Sequence, residues 1–199
     1  SASARMIESS ATATNCSTPA RVASPASTGR IIAAEVTRLW SAPMEASGAE
    51  RSWVVYLAGE IHSDWRERIA EGIEVAGLPV VLTSPVTDHA ASDDCGVSIL
   101  GQEDDKFWHD HKGAGLNAIR TTTLIKEADV AVVRFGEQYK QWNAAFDAGQ
   151  AAALGTPLIT LHPPEHDHAL KEVDRAALAV CREPEQVVAI LRYVLNGEL

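Results

Sequence analysis

The chain has no apolar run approaching the ~20 residues that a membrane-spanning helix requires, which predicts a protein without a membrane partner. Its cysteines, Cys16, Cys95 and Cys181, are few, odd in number and far apart, with no Cys-x-x-Cys pair. That excludes a disulfide framework or a zinc ribbon and fits a reducing compartment. Positive charge is also short: 17 Lys and Arg stand against 27 Asp and Glu, a formal net charge of −10. A nucleic-acid polymer is held by clustered cations that displace counterions, so this balance argues against one and leaves room for a small, locally neutralised ligand. GxGxxG, Walker and HExxH motifs are all missing.

Of 199 residues, 46% are hydrophobic and 22% charged, enough apolar material for one well-buried domain. The first fifty residues do not contribute to it. They are rich in Ser, Ala and Thr, with no sustained hydrophobic period before the short "IIAAEVTRLW". They read as a disordered tail, or as a transit peptide given the Ser, Ala and Arg bias of the first half. The corresponding locations are cytoplasmic or, for a transit peptide, plastid or mitochondrion.

From residue 51 the texture changes. Apolar runs "WVVYLAG", "PVVLTSP", "DVAVVRFG", "PLITLH" and "LAVC" read as strands. Helical patterns lie between and after them: 63–77 capped by Ser63, 115–128, 141–154, 166–176 and 183–197. The polar stretch 86–112 reads as a functional lid or a disordered insertion. Strands apolar on both faces and separated by helices predict an α/β three-layer αβα sandwich: a five-stranded parallel sheet of flavodoxin-like, Rossmann-type architecture. Ligands of such sheets bind beyond the carboxyl ends of the strands, at the topological switch point.

The helix over "QWNAAFDAGQAAAL" carries a single charge, Asp147. Its periodicity sets Trp142, Phe146, Gly149 and Ala153 on one stripe, expected on the sheet, with Gly149 permitting close approach. Asn143, Asp147 and Gln150 form the adjacent stripe. The Ala-rich remainder predicts a second covered face, which would put Asp147 at the edge of a cleft. A plainer reading has Asn143 as the cap and Asp147 as an acid favoured by the helix dipole. After the first strand, Gly59, Ser63 and Arg66 suit a phosphate or sugar hydroxyls, and equally a plain Gly turn with a Ser cap. The histidines His109, His111, His162, His166 and His168 stand near Asp110 and Glu165 but match no fixed ligand spacing, so neither a metal nor a cofactor is expected. "AGEIHSDW" is not the Ser/Thr-rich loop that a flavin carrier needs.

The runs "VVYLAGEIHSDWRERI" and "NAIRTTTLIKEADVAVVRFGEQYKQWNAAFDAGQAAALGTPLITLHPPEHDHALKEVDRAALAVC" resemble the YtoQ family over about residues 53–196. That family is similar to the nucleoside 2-deoxyribosyltransferases and the 2′-deoxynucleoside 5′-phosphate N-hydrolases. The resemblance implies a nucleoside or nucleotide substrate cleaved at its N-glycosidic bond. It aligns Gly149, Ala151, Gly155 and Pro157 with the superfamily's helix motif and places Asp147 where those enzymes carry a nucleophilic Glu. It implies a sugar-binding turn at Gly59, Glu60 and His62, phosphate contacts near Ser63 and Arg66, and a pocket completed by Tyr56, Trp142 and Asn143. Glu60 or Asp104 is the expected acid for the leaving base, and a homo-oligomer, at least a dimer, is expected. Asp is shorter than Glu by ~1.5 Å of reach, and misplacement on that scale costs ~100-fold in rate. The alternative is a non-catalytic nucleotide-binding or sensing protein on the same fold.

Overall fold

The computed structural model describes residues 51–138 and 141–199, so the tail and its proposed destinations, with Cys16, lie outside the described residues. The chain forms β1 (Trp53–Gly59), α1 (Trp65–Val75), β2 (Val80–Thr83), α2 (His89–Leu100), α3 (Lys106–Glu127), β3 (Val130–Arg134), α4 (Trp142–Leu154), β4 (Leu158–Leu161), a 3-10 turn (Pro164–His166), α5 (Asp167–Ala176), β5 (Ala179–Cys181) and α6 (Pro184–Asn196). All strand pairs are parallel, in the order β2-β1-β3-β4-β5. The switch point therefore falls between β1 and β3, as the expected three-layer sandwich requires.

Alternation along the strands divides the core. Val55, Leu57, Val130 and Val132 pack with Trp65, Ile69, Val187 and Leu191 on the α1 and α6 side. Tyr56, Ala58, Ala131 and Val133 pack with Ile125, Ala144, Ala148 and Leu170 on the other. At ~25 cal/mol per Å² of apolar surface buried, these two layers are the main source of stability.

Three sequence expectations are corrected here. The 86–112 stretch is not a disordered insertion: it folds into α2 and the first part of α3. Asp88 caps α2 by accepting from the Ala91 N–H at 2.7 Å, and Asp105 caps α3 by accepting from Phe107 at 2.8 Å. The two helices meet backbone to backbone, since a Cβ on Gly96 would lie 2.2 Å from Gly113 N. Asn117 Nδ2 ties them further, donating to the Ser92 carbonyl and hydroxyl at 3.0 Å each. Ser63 does not cap α1; Asp64 holds that position without a side-chain bond, and the Ser63 hydroxyl turns instead to the Glu60 carboxylate.

The third correction concerns α4. Trp142 and Phe146 are 73% and 68% exposed, and Gly149 has open space where a Cβ would stand. The sheet is met by Ala144, Ala148 and Ala151, a stripe about 200° round from the expected one. Methyl groups let the helix lie close on β3 and β1, and indole and phenyl rings would hold it off. Asn143 is not the cap either. Gln141 precedes the helix, and its side chain closes the loop behind it, accepting from Gly136 N at 2.9 Å and donating to Gln138 O at 2.8 Å.

Candidate active site

Glycine begins the site. Gly59 ends β1 with φ +107°, directly against β3 at Arg134. The next residue, Glu60, bonds its N–H to the Arg134 carbonyl at 3.2 Å. The Glu60 side chain is buried and accepts from the His62 N–H at 2.6 Å, from the Ser63 hydroxyl and from Arg134 Nε at 3.4 Å. Burial alone would raise its pKa, but Ser63, the His62 N–H and Arg134 together hold it below the usual carboxylate range. Glu60 is therefore an anion at neutral pH and has no proton to give a leaving base. Held in this way, Glu60 is suited to orienting Arg134.

Arg66 is also committed to the turn. Nε donates to the Leu57 carbonyl at 3.2 Å, and the two terminal nitrogens donate to Glu60 O at 2.6 Å and Gly59 O at 3.2 Å. The guanidinium stacks 4.4 Å from the Trp65 ring, while Trp65 Nε1 donates to Glu60 O at 2.9 Å. Burial brings the Arg66 pKa down to about 10, which leaves it charged at neutral pH. Ser63 is likewise engaged, and the His62 side chain is exposed beside the turn.

Across the sheet face lies Asp147. It is half-buried on α4, takes no hydrogen bond from any described residue, and burial pushes its pKa up to about 6. Its neighbour is Tyr56, fully buried in the middle of β1, whose phenol is pushed up to about 12, first by burial and then by the Asp147 charge. Thr121 of α3 acts on the same phenol from nearby. Even so, the Tyr56 hydroxyl makes no hydrogen bond of normal geometry. A half-buried carboxylate without a hydrogen-bond partner among the described residues, whose charge acts on a buried phenol, is the arrangement of a reactive site more than of a structural ion pair.

The remaining expected residues divide. Asn143 is exposed one turn before Asp147 on the same face of α4, whereas Trp142 lies some 140° round the helix from it. Asp104 stands exposed at the α2–α3 turn, seventeen residues before Thr121; at 1.5 Å per helical residue it lies roughly 20 Å or more from Tyr56, out of reach as an acid. Of the histidines, His162 is wholly buried, with Nε2 3.0 Å from Asp174 Oδ1, and His109 pairs with Asp94 at 3.4 Å. Among the described residues no three His, Cys, Asp or Glu side chains converge as metal ligands.

Sequence reasoning missed Arg134, Thr83 and Thr121, and Gln150 was seen only as part of a stripe. Strand register carried the signal for Thr83, which pairs with Tyr56 across β1 and β2. An open depression of about 330 Å³ along α3, lined by Leu116, Ile119 and Arg120, does not include Asp147. A second, of about 220 Å³, is lined by Leu57, Arg66 and Thr83. Among the described residues no helix is long and apolar enough to cross a membrane.

The family described as "Nucleoside 2-deoxyribosyltransferase YtoQ" matches residues 56–195. The "Uncharacterized protein YtoQ" of Bacillus subtilis (strain 168) is 40% identical over 146 residues, covering 73% of this chain and 99% of that protein. Among solved structures, a conserved protein from Enterococcus faecalis V583 aligns with a TM-score of 0.51 and 16% identity, over 73% of this chain and all of its own, a likeness of fold alone. A 2-deoxyribosyltransferase from Bacillus psychrosaccharolyticus (TM-score 0.45, 17% identity, 69% and 95% covered) and the Clostridium botulinum CMP N-glycosidase BcmB (0.41, 15%, 71% and 99%) are more distant.

Proposed function

The chain belongs to the YtoQ nucleoside 2-deoxyribosyltransferase family, and from that premise we propose that it cleaves or transfers at the N-glycosidic bond of a nucleoside or nucleotide, with Asp147 as nucleophile. One observation carries the assignment: Asp147 is half-buried, without a hydrogen-bond partner among the described residues, and its pKa is raised to about 6 beside the buried Tyr56 hydroxyl. At neutral pH such a group is mostly ionised yet poorly solvated, which favours attack on an electron-poor carbon.

In the first step an Asp147 oxygen bonds to C1′ as the C1′–N bond breaks. The electron pair leaves with the base nitrogen, which is protonated by water because Glu60 is held as an anion; the hydroxide left behind is consumed when the second step attacks C1′ or deprotonates the incoming nucleophile. The transition state is oxocarbenium-like, and the product is a sugar ester of Asp147. Water or a second base nitrogen then attacks C1′, and the carboxylate is released. Gly59, Glu60, His62 and Asn143 are assigned to the rim of the pocket, and Arg66 and Ser63 to holding the turn that forms it.

The test is chromatography after incubation with the four ribonucleosides, their 2′-deoxy counterparts and the 5′-monophosphates of each. Free base released by the parent and not by Asp147→Asn supports the reading. Ligand-dependent thermal stabilisation of both proteins, without release, favours the nucleotide-binding or sensing alternative.

The exposed Trp142 and Phe146 on α4 support a homo-oligomer, at least a dimer, since a contiguous apolar surface of this kind marks an interface. Phe146→Lys is expected to shift the chain toward monomer in sedimentation velocity. A parent that sediments as a monomer at tens of micromolar removes the proposal.

A further inference from the structure

Two guanidinium groups flank the turn after β1, and they differ in what they have left to give. Arg66 donates through Nε, Nη1 and Nη2 to the carbonyls of Leu57, Glu60 and Gly59, so every one of its nitrogens is engaged by backbone. Arg134 donates from Nε to Glu60 Oε1 at 3.4 Å, and among the described residues its Nη1 and Nη2 meet no acceptor. The Arg134 side chain is 19% exposed, so a dissolved ligand can reach it.

The sheet sets the place of this group. Arg134 ends β3 directly opposite Gly59, which ends β1, and these are the two strands between which the strand order reverses. A ligand of a doubly wound sheet sits in the crevice at that point. Glu60, which accepts from Nε, is itself gripped by the His62 N–H at 2.6 Å and by the Ser63 hydroxyl. Gly136, just beyond β3, leaves that carboxylate its room, since a Cβ there would lie 2.6 Å from Glu60 Cγ. A guanidinium anchored at Nε and open at its far end presents parallel N–H donors, the fork that a phosphoryl group accepts in bidentate fashion. In a chain of formal net charge −10, a small anion needs such a local cation to approach. Tyr56, on which the Asp147 charge acts, lies three residues before Gly59 on β1, ~10 Å away at ~3.3 Å per residue. A sugar 5′-phosphate with its contacting side chains bridges a gap of that order.

Resting on the glycosidic reading above, we propose that Arg134 is the anion-binding residue of this site and takes the 5′-phosphoryl group of a nucleoside 5′-monophosphate through Nη1 and Nη2. The preferred substrate is then the nucleotide, and the phosphate contacts that the resemblance assigns to Ser63 and Arg66 fall to Arg134. Binding at the phosphoryl group, remote from C1′, serves to position the sugar for reaction.

The experiment measures kcat/KM for base release from the four ribonucleosides, their 2′-deoxy counterparts and the 5′-monophosphates of each, in the parent, Arg134→Gln and Arg134→Lys. The parent is expected to prefer a monophosphate over its nucleoside by about 30-fold or more, the worth of a hydrogen bond to a charged group. Arg134→Gln is expected to bring that preference to about threefold or less by slowing the monophosphates alone, and Arg134→Lys, a point charge without the fork, to keep part of it. A parent without the preference overturns the proposal while the glycosidic reading stands. A preference that survives Arg134→Gln puts the anion elsewhere and overturns it too. So does an equal fall for nucleosides and monophosphates, because a residue that only holds Glu60 would act on both alike. Should Arg134→Gln not fold, Arg134→Lys reads the same ratio, and an unchanged ratio there ends the proposal. If no base is released from any substrate the glycosidic reading fails, and thermal shift decides the anion. Monophosphates stabilising the parent more than nucleosides, with the difference lost in Arg134→Gln, sustains the proposal; equal stabilisation ends it.

Discussion

Asp147→Asn is expected to lose base release by on the order of 10³-fold or more and at the same time to melt at a higher temperature than the parent at neutral pH. Both effects follow from the dehydrated carboxylate. The amide keeps the shape and cannot form the sugar ester, so turnover falls. It also carries no charge, so the cost of burying one disappears. The parent carboxyl moves from its ordinary value of 3.8 to about 6 on folding, which means that the native state binds the proton more tightly than the unfolded chain does. Below pH ~4 both states are protonated and the group costs nothing. As pH rises from about 4 to about 6 the unfolded chain gains by ionising and the native one does not, so native stability falls, and above about 6 the loss levels off. A shift of about two units corresponds to at most ~3 kcal/mol, or several degrees in Tm for a domain of this size. The melting difference between Asp147→Asn and the parent should therefore open across that window and stay constant at higher pH. In the same proteins kcat should drop about tenfold per pH unit below ~6 in the parent. A difference in Tm that is flat from pH 4 to 8 would show that Asp147 is not buried as a charge, and would remove the argument for its activation.

The contrast between what could be read from residues alone and what could not runs along a physical line. Strands β1, β3 and β4 are apolar on both faces, and a run such as "VAVVR" has few other ways to be buried. The α/β architecture follows from such runs, and so does the switch point. Helix α2 and the first part of α3 left no comparable trace because they meet through Gly96 and Gly113 rather than through an apolar stripe, and a glycine contact looks like a loop in a sequence. Helix α4 was misread for a related reason. The large apolar residues Trp142 and Phe146 suggested the sheet face, but closeness to a sheet favours the small residues Ala144, Ala148 and Ala151.

In the site, the position of Asp147 was legible, being the lone charge of its helix. The protonation of Glu60 was not. It depends on His62, Ser63 and Arg134, and Arg134 comes from the far side of the chain through strand pairing. Thr83 and Gln150 carry polar atoms whose want of a partner exists only once the tertiary structure has excluded everything else from their surroundings.

Gly59→Ala should abolish most of the fold's stability, in spite of adding one methyl group, whereas Gly149→Ala should raise it. At Gly59 a Cβ would stand 2.0 Å from the Arg134 carbonyl oxygen and 2.8 Å from the Arg134 carbonyl carbon, and the obstacle is backbone that cannot rotate away. The φ of +107° adds a conformational penalty that an L side chain does not escape. Relief requires the end of β1 to leave β3. That gives up the Glu60 N–H bond to Arg134, the Glu60–Arg134 contact and the Arg66 bonds to Gly59 and Glu60, so the damage spreads through the turn that frames the site. Overpacking and strain together suggest a loss of about 3–5 kcal/mol, comparable with a domain's entire stability. Gly149 sits in the middle of α4 with no atom within 4 Å of where its Cβ would be. There the substitution only restricts the unfolded chain and improves helix propensity, for a gain of ~0.5–1 kcal/mol. Urea denaturation of both variants reads the two signs directly. If Gly59→Ala unfolds at the parent's midpoint, the close approach of β1 to β3 is not a constraint on this fold, and the anchoring of Glu60 and Arg134 through it fails as well.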